Sequence, residues 1–285
     1  MERLKGAEVS AKIKEQVQAM LEKAGGRTPK LAIVRVGERP DDLSYERGAI
    51  KKMEAFGLAA ESRAFPADIS NEAFQKAFAA VNEDPEIDGI LLLRPLPGHL
   101  DEKAAENAID PEKDLDGISP WNAAKVFAGD ESGFAPCTAE AVVEVLKAYD
   151  IPISGRRVTI VGRSMVVGRP LSMLLVKENA TVTICHTRTR DLPGTCRNAE
   201  ILVAAAGRAK MLDQDYVAPG AVVIDVGINV DEDGSLTGDV DFAAAQDVVR
   251  AITPVPGGVG AVTTTVLARH VLEAAARASG LTLSE

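Results

Sequence analysis

The chain has 285 residues, 46% hydrophobic and 26% charged, with a formal net charge of −10; it is long enough for two domains, each with its own core. The acidic balance disfavours a nucleic-acid backbone or an anionic membrane as main partner, but leaves room for a local basic pocket that takes a phosphorylated small molecule. No apolar run approaches the roughly 20 residues of a membrane span, and the start, Met1-Glu-Arg-Leu-Lys-Gly6, lacks the apolar centre of a signal peptide, so a cytoplasmic protein is expected.

In the first half, an apolar run at 31–36 precedes a helical pattern over about 41–56, a second helical pattern over 71–81 and an apolar run at 89–93. This is a βαβ rhythm. The loop Arg94-Pro-Leu-Pro-Gly98 follows directly on the last strand, at the carboxyl end where open α/β sheets bind ligands. A second polar loop covers 110–117. Around Ala135-Pro-Cys-Thr138 the pattern resets, with Thr138 placed to cap a helix over 139–148.

The second half reads as strand 158–161, helix 169–177, then strands at 181–184, 201–204 and 221–226; a final helix over 263–278 is long enough to return to the first domain. The predicted fold is α/β, with two domains around a cleft and a Rossmann-like doubly wound parallel sheet in the second. The expected domains are 1–137, completed by 263–285, and 138–262.

Cys137, Cys185 and Cys196 form no C-x-x-C pair, and His99, His186 and His270 are equally scattered. Reduced thiols are expected, and no metal site. Chemistry concentrates instead at Val161-Gly-Arg-Ser-Met-Val-Val-Gly-Arg-Pro170, between a β-branched strand and a helix. Gly162 and Gly168 allow a tight turn and close approach of a ligand, and the helix amino end favours a phosphate. An ordinary strand-to-helix turn would look similar, so context decides. The next strand end, Cys185-His-Thr-Arg-Thr-Arg190, offers no carboxylate for a ribose diol before Asp191. It presents Thr187 and Arg188 instead, and with Arg163 these favour a 2′-phosphate, hence NADP over NAD.

Together with Val223-Ile-Asp-Val-Gly-Ile-Asn229, Gly238-Asp-Val240 and Ile252-Thr-Pro-Val-Pro-Gly-Gly-Val-Gly260, this run resembles the methylenetetrahydrofolate dehydrogenase/cyclohydrolase (FolD) family. The likeness extends to Tyr45, Pro95-Leu-Pro97 and Lys113-Asp-Leu-Asp-Gly117. It implies a homodimer that binds tetrahydrofolate derivatives between its domains and NADP on the second. The implied chemistry is oxidation of 5,10-methylenetetrahydrofolate to the methenyl cation, usually followed by hydrolysis to 10-formyltetrahydrofolate. By position, Gly162, Arg163, Ser164, Thr187 and Ile228 match cofactor contacts; Tyr45 matches the aromatic residue that stacks on folate and Asp116 the carboxylate that binds it. Pro254, Gly257 and Gly258 belong to the loop that closes the folate end.

Two positions depart from the family pattern. A lysine usually follows the tyrosine by four residues, one helical turn on, and here that position is Ala49; the glutamine usual before the proline loop is Leu93. In the resemblance these two polar groups serve the cyclohydrolase step. Hydride transfer needs mainly alignment, whereas hydrolysis needs a water to be oriented and protons handled, where a general acid–base group contributes about 10²–10⁴-fold. The expected enzyme is therefore an NADP-dependent dehydrogenase with cyclohydrolase activity lost or weak. Lys51 lies roughly 200° round the helix from Ala49, but Lys52 lies within roughly 60°. A bifunctional enzyme using Lys52 or ordered water is thus the alternative, and a catalytically silent binding protein the third reading.

Overall fold

The computed structural model describes residues 1–24, 26–231 and 233–281. In chain order the elements are β1 (Glu2–Arg3), α1 (Gly6–Ala24), β2 (Lys30–Val36), α2 (Pro40–Ala55), β3 (Ala59–Phe65), α3 (Asn71–Glu83), β4 (Gly89–Leu92), α4 (Glu102–Ala108), α5 (Pro120–Ala128) and α6 (Cys137–Ala148). They continue as β5 (Arg157–Val161), α7 (Gly168–Lys177), β6 (Thr181–Cys185), α8 (Leu192–Arg197), β7 (Ile201–Ala204), a 3-10 turn (Gln214–Tyr216), β8 (Val222–Asp225), β9 (Asn229–Val230), β10 (Leu236–Thr237), α9 (Phe242–Ala245), β11 (Ala251–Ile252) and α10 (Gly260–Ala278).

The chain divides into two compact units, residues 1–12 with 138–263 and residues 13–137 with 264–285. Residues 282–285 of the expected return segment lie outside the described residues. The expectation that 1–137 form one domain is corrected at its start. Glu2 and Arg3 pair in parallel with Ala251 and Ile252, so the first twelve residues join the second half of the chain. A two-residue strand carries no periodicity, which is why the pattern missed it. The helix expected at 139 begins at Cys137, which puts Thr138 inside it rather than at its cap.

The six-stranded unit holds a sheet of order β1-β11-β8-β7-β5-β6, parallel at every pairing. Strands β7 and β8 are buried throughout, as a sheet covered on both faces requires. Its core joins Val161, Leu202, Ala204, Val223 and Ile252 to Leu212 and Val240.

The three-stranded unit is a parallel sheet of order β3-β2-β4. Ala32, Val34 and Val36 of β2 and Ile90 and Leu92 of β4 pack on Phe74, Phe78 and Val81 of α3. Strand β3 was not anticipated from the sequence: it is an edge strand whose residues are nowhere fully buried, so its apolar signal is weak.

Helix α2 starts with Pro40 in its first turn and Asp41 and Asp42 beside the positive end of its dipole. Its buried residues, Asp42, Glu46, Ala49 and Met53, recur at helical spacing. Glu46 Oε2 accepts from Arg35 Nε at 2.9 Å with both side chains buried, and Arg35 also donates to the Gly37 carbonyl. This pair pins α2 to the end of β2 and so fixes the turn that carries Tyr45. Removing one member of a buried pair strands the other charge, which costs about 3–5 kcal/mol. Arg35→Met is expected to lower stability by that order in urea unfolding, and Arg35→Met with Glu46→Leu to recover most of the loss.

Candidate functional site

Strand β5 ends at Val161 and the chain turns at Gly162, whose φ is 136°. A Cβ on Gly162 would lie 2.0 Å from the Ala205 carbonyl oxygen, and one on Gly168 would lie 2.1 Å from the Gly162 carbonyl oxygen. Only glycine fits either place, and the backbone is left bare toward the strand ends. Ser164 Oγ accepts the Val167 N–H at 3.1 Å, closing the turn, and α7 begins without a side-chain cap. The loop after β6 is shaped by its own side chains: the His186 N–H donates to Thr189 Oγ1 at 2.8 Å and the Arg188 N–H to His186 Nδ1 at 3.1 Å. Arg163, Ser164, Thr187 and Arg188 are exposed there, and Ile228, in the loop after β8, is 65% exposed. The predicted cofactor residues therefore share the carboxyl edge of one sheet.

Two buried carboxylates, Asp225 of the motif 223–229 and Asp239 of the motif 238–240, hold those loops. Asp239 accepts the N–H groups of Ala206, Gly207 and Arg208 after β7 and the Asn229 side-chain amide after β8. Asp225, at the end of β8, accepts from Gly227, Asp239 and Val240 at 2.9–3.0 Å. Burial pushes the Asp225 carboxyl up to about 6 despite the opposing backbone donors, and the neighbouring Asp239 adds to the rise.

In the three-stranded unit, Tyr45 of α2 and Asp116 of the loop before α5 are neighbours. Tyr45 as a residue is 37% exposed, while burial of its phenol, followed by the nearby Asp116 carboxyl, raises its pKa well above that of a free tyrosine. Burial likewise raises Asp116, opposed by the N–H of Cys137 donated to Oδ1 at 2.9 Å and by the cation of Arg94. Cys137 does more than mark a boundary: its Sγ donates to the Leu115 carbonyl at 3.3 Å. His270 Nδ1 lies 2.8 Å from that same oxygen, and since a carbonyl only accepts, Nδ1 carries the proton. The peptide ahead of Asp116 is thus held from two helices, α6 and α10. Nothing in the spacing of 116, 137 and 270 announces this, because α10 enters the unit from the far end of the chain.

Ala49 is fully buried and Leu93 nearly so, with the Leu93 N–H still donating to the Val34 carbonyl at 2.9 Å. Both positions are apolar packing here. Lys52 donates to Thr265 Oγ1 at 3.0 Å, lies 5.8 Å from the centre of the Phe56 ring, and has its pKa lowered by burial and then by Lys14. Strand β4 ends at Leu92, so strand alternation does not turn Arg94 away from the side that Leu93 takes; Arg94 pairs with Glu106 at 2.5 Å and is also a nearby cation to Asp116.

The loop with Pro254, Gly257 and Gly258 belongs to the six-stranded unit, where the Gly6 N–H donates to the Gly257 carbonyl at 2.8 Å. It is not in the unit that holds Tyr45 and Asp116. The three cysteines are free and buried, and no cluster of metal-ligating side chains occurs among the described residues. No helix among them is long and apolar enough to cross a membrane.

A parallel sheet of this order with a glycine turn and exposed arginines at its carboxyl edge defines a dinucleotide-binding α/β protein. The family follows from the whole chain. Residues 4–116 match the model of the tetrahydrofolate dehydrogenase/cyclohydrolase catalytic domain, and residues 136–279 that of the same family's NAD(P)-binding domain. The chain is 54% identical to the bifunctional protein FolD of Clostridioides difficile over 273 residues, 95% of each chain. Among solved structures it resembles the bifunctional enzyme FolD of Campylobacter jejuni (TM-score 0.94, 36% identity, 97% of this chain and 99% of that one). It also resembles the Trypanosoma brucei N5,N10-methylenetetrahydrofolate dehydrogenase-cyclohydrolase, solved with NADP and an inhibitor (TM-score 0.87, 35% identity, 95% and 94%). The chain belongs to the FolD family.

The buried Asp225 makes the six-stranded unit sensitive to pH. A carboxyl raised from 3.8 in the unfolded chain to about 6 contributes stability that is complete below pH about 4 and is lost as pH rises through about 6. Two pKa units correspond to about 3 kcal/mol. Relative to Asp225→Asn, which cannot titrate, the natural protein is expected to lose about that much stability between pH 4 and 7.5, read from denaturant unfolding at each pH.

Proposed function

We propose that this protein oxidises 5,10-methylenetetrahydrofolate to 5,10-methenyltetrahydrofolate with NADP as acceptor, as a cytoplasmic homodimer, and hydrolyses the product weakly or not at all. The second half of that reading is supported by Ala49 and Leu93, which the family likeness sets at the usual lysine and glutamine positions and which are both buried, while Tyr45 and Asp116 remain together.

The cofactor edge fits NADP. Gly162 and Gly168 permit the tight turn into α7, where a Cβ would strike the Ala205 and Gly162 carbonyl oxygens, and among the described residues the guanidinium groups of Arg163, Arg188 and Arg190 have no partner. Arg163 and Arg188 are placed to take the 2′-phosphate, with Ser164 and Thr187 as hydroxyl donors and Ile228 as an apolar surface for the nicotinamide end. NADP supplies the acceptor for the hydride. The Trypanosoma relative was solved with that cofactor.

On the folate side, Tyr45, exposed as a residue, offers a stacking face, and its raised phenol keeps its proton at neutral pH. Asp116, held by the Cys137 N–H, presents its carboxyl to the N–H groups of the pterin. The methylene hydrogen would leave with the C–H electron pair as hydride to NADP, and the folate nitrogens would share the resulting positive charge, so the protein needs no base for this step. Attack of water on the cation does need one, and neither Ala49 nor Leu93 can act as such.

Bifunctionality is the second reading, favoured by the name of the Clostridioides relative and by the lowered pKa of Lys52. Against it, Lys52 Nζ is directed to Thr265 Oγ1, to which it donates one of its three hydrogens. Purified protein is expected to form NADPH from methylenetetrahydrofolate and to hydrolyse methenyltetrahydrofolate no faster than buffer. Ala49→Lys with Leu93→Gln, checked for folding, should raise hydrolysis on the order of tenfold or more. Rapid hydrolysis by the natural protein that is lost in Lys52→Ala would establish the bifunctional reading instead. Absence of NADPH formation despite binding of both ligands would overturn both.

Cofactor choice is separately testable. One charge-assisted contact to phosphate, screened by solvent, contributes about 1.4 kcal/mol, a tenfold effect. Arg188→Ala is expected to raise the KM for NADP by roughly that factor and to leave the KM for NAD unchanged.

A further inference from the structure

At the end of the six-stranded sheet away from the Gly162 turn, a cleft of about 300 Å³ crosses the amino-terminal starts of β5, β7 and β8. Its walls include Arg156, Arg157, Arg197, Arg250 and a single acid, Glu200, a formal local charge of +3 in a chain of net charge −10. Three of the arginines are oriented by the fold. Arg156 Nη1 donates to Glu200 at 2.8 Å, Arg157 Nε donates to the Asn198 carbonyl at 2.8 Å, and Arg197 donates to the Asp215 carbonyl. Each keeps further N–H groups unspent, since a guanidinium has five. Arg250, just ahead of β11, is exposed and has no side-chain partner among the described residues. Like charges gathered around one concavity repel, and an acidic protein has carboxylates enough to neutralise them, yet only Glu200 lines this cleft.

We propose that this cleft is a binding site for an oligophosphate group, separate from the cofactor edge. Guanidinium forks match pairs of phosphate oxygens, and arginines arriving from several strand starts can engage successive phosphates, which a single carboxylate ligand would not satisfy. The volume exceeds that of one phosphate and lies at the small end of ligand sites. The five residues of β5 separate the cleft from the glycine turn, roughly 13 Å at about 3.3 Å per step. Occupancy here therefore leaves the cofactor edge open.

The test uses the full chain saturated with NADP, so that phosphates cannot report the cofactor edge, at physiological salt, with calorimetric titration of tripolyphosphate and of ATP. Saturable binding of either probe is expected, weakened at least tenfold in Arg250→Glu and in Arg197→Ala, with NADP affinity unchanged in both. Equal affinity for the two probes identifies the phosphate chain alone as the determinant, and tighter ATP binding identifies a nucleotide; both support the site. No saturable binding, binding indifferent to both substitutions, or binding of an oligonucleotide but of neither probe overturns it.

Discussion

The arrangement of the six-stranded unit depends on two carboxylates that have been taken out of water. A buried carboxylate is tolerated only where donors surround it, and Asp239 finds them in three consecutive backbone N–H groups after β7 and an amide after β8, while Asp225 finds three more. Loops that would otherwise sample many conformations are thereby held at the carboxyl edge, next to the glycine turn. Asp225 rises to about 6 because its donors do not fully offset burial. The cofactor edge is preorganised at the expense of a residue that would ionise more easily in water.

The three-stranded unit solves a similar problem with a different device. Asp116 must be presented at the end of a loop, and the peptide before it is gripped at the Leu115 carbonyl by the Cys137 thiol and the His270 ring. The Arg35–Glu46 pair fixes α2 and with it Tyr45. Around these polar anchors the neighbouring positions are apolar, Ala49 and Leu93 among them. The unit thus keeps Tyr45 and Asp116 together while Ala49 and Leu93 are buried.

Much of the architecture is legible in the residues. Strands β2, β4, β5, β7 and β8 stand out because parallel strands covered on both faces are nearly continuous apolar runs, and helices α2, α3 and α7 because their apolar positions recur at helical spacing. Edge strand β3 and the two-residue β1 and β11 escape such reading, since one is half-exposed and the others are too short to show a period. Of the site, the glycine turn and the arginines at 163 and 188 are visible as local patterns, and Tyr45 and Asp116 through a family likeness. The roles of Asp225, Asp239, Cys137 and His270 are not visible in that way.

By itself the sequence determines that this is a two-part α/β protein of the FolD family with a glycine turn between strand and helix, because those features are written in contiguous residues whose local conformations do not depend on distant ones. It also determines that Ala49 and Leu93 carry no proton-transfer group, which is a matter of covalent chemistry. Only the tertiary structure decides that Met1–Lys12 completes the sheet of the second half, that Lys52 directs its nitrogen to Thr265, that His270 stands behind Asp116, and that four arginines face one cleft. Each of these joins residues that lie far apart along the chain or on separate elements. Such contacts form only when packing brings those elements together.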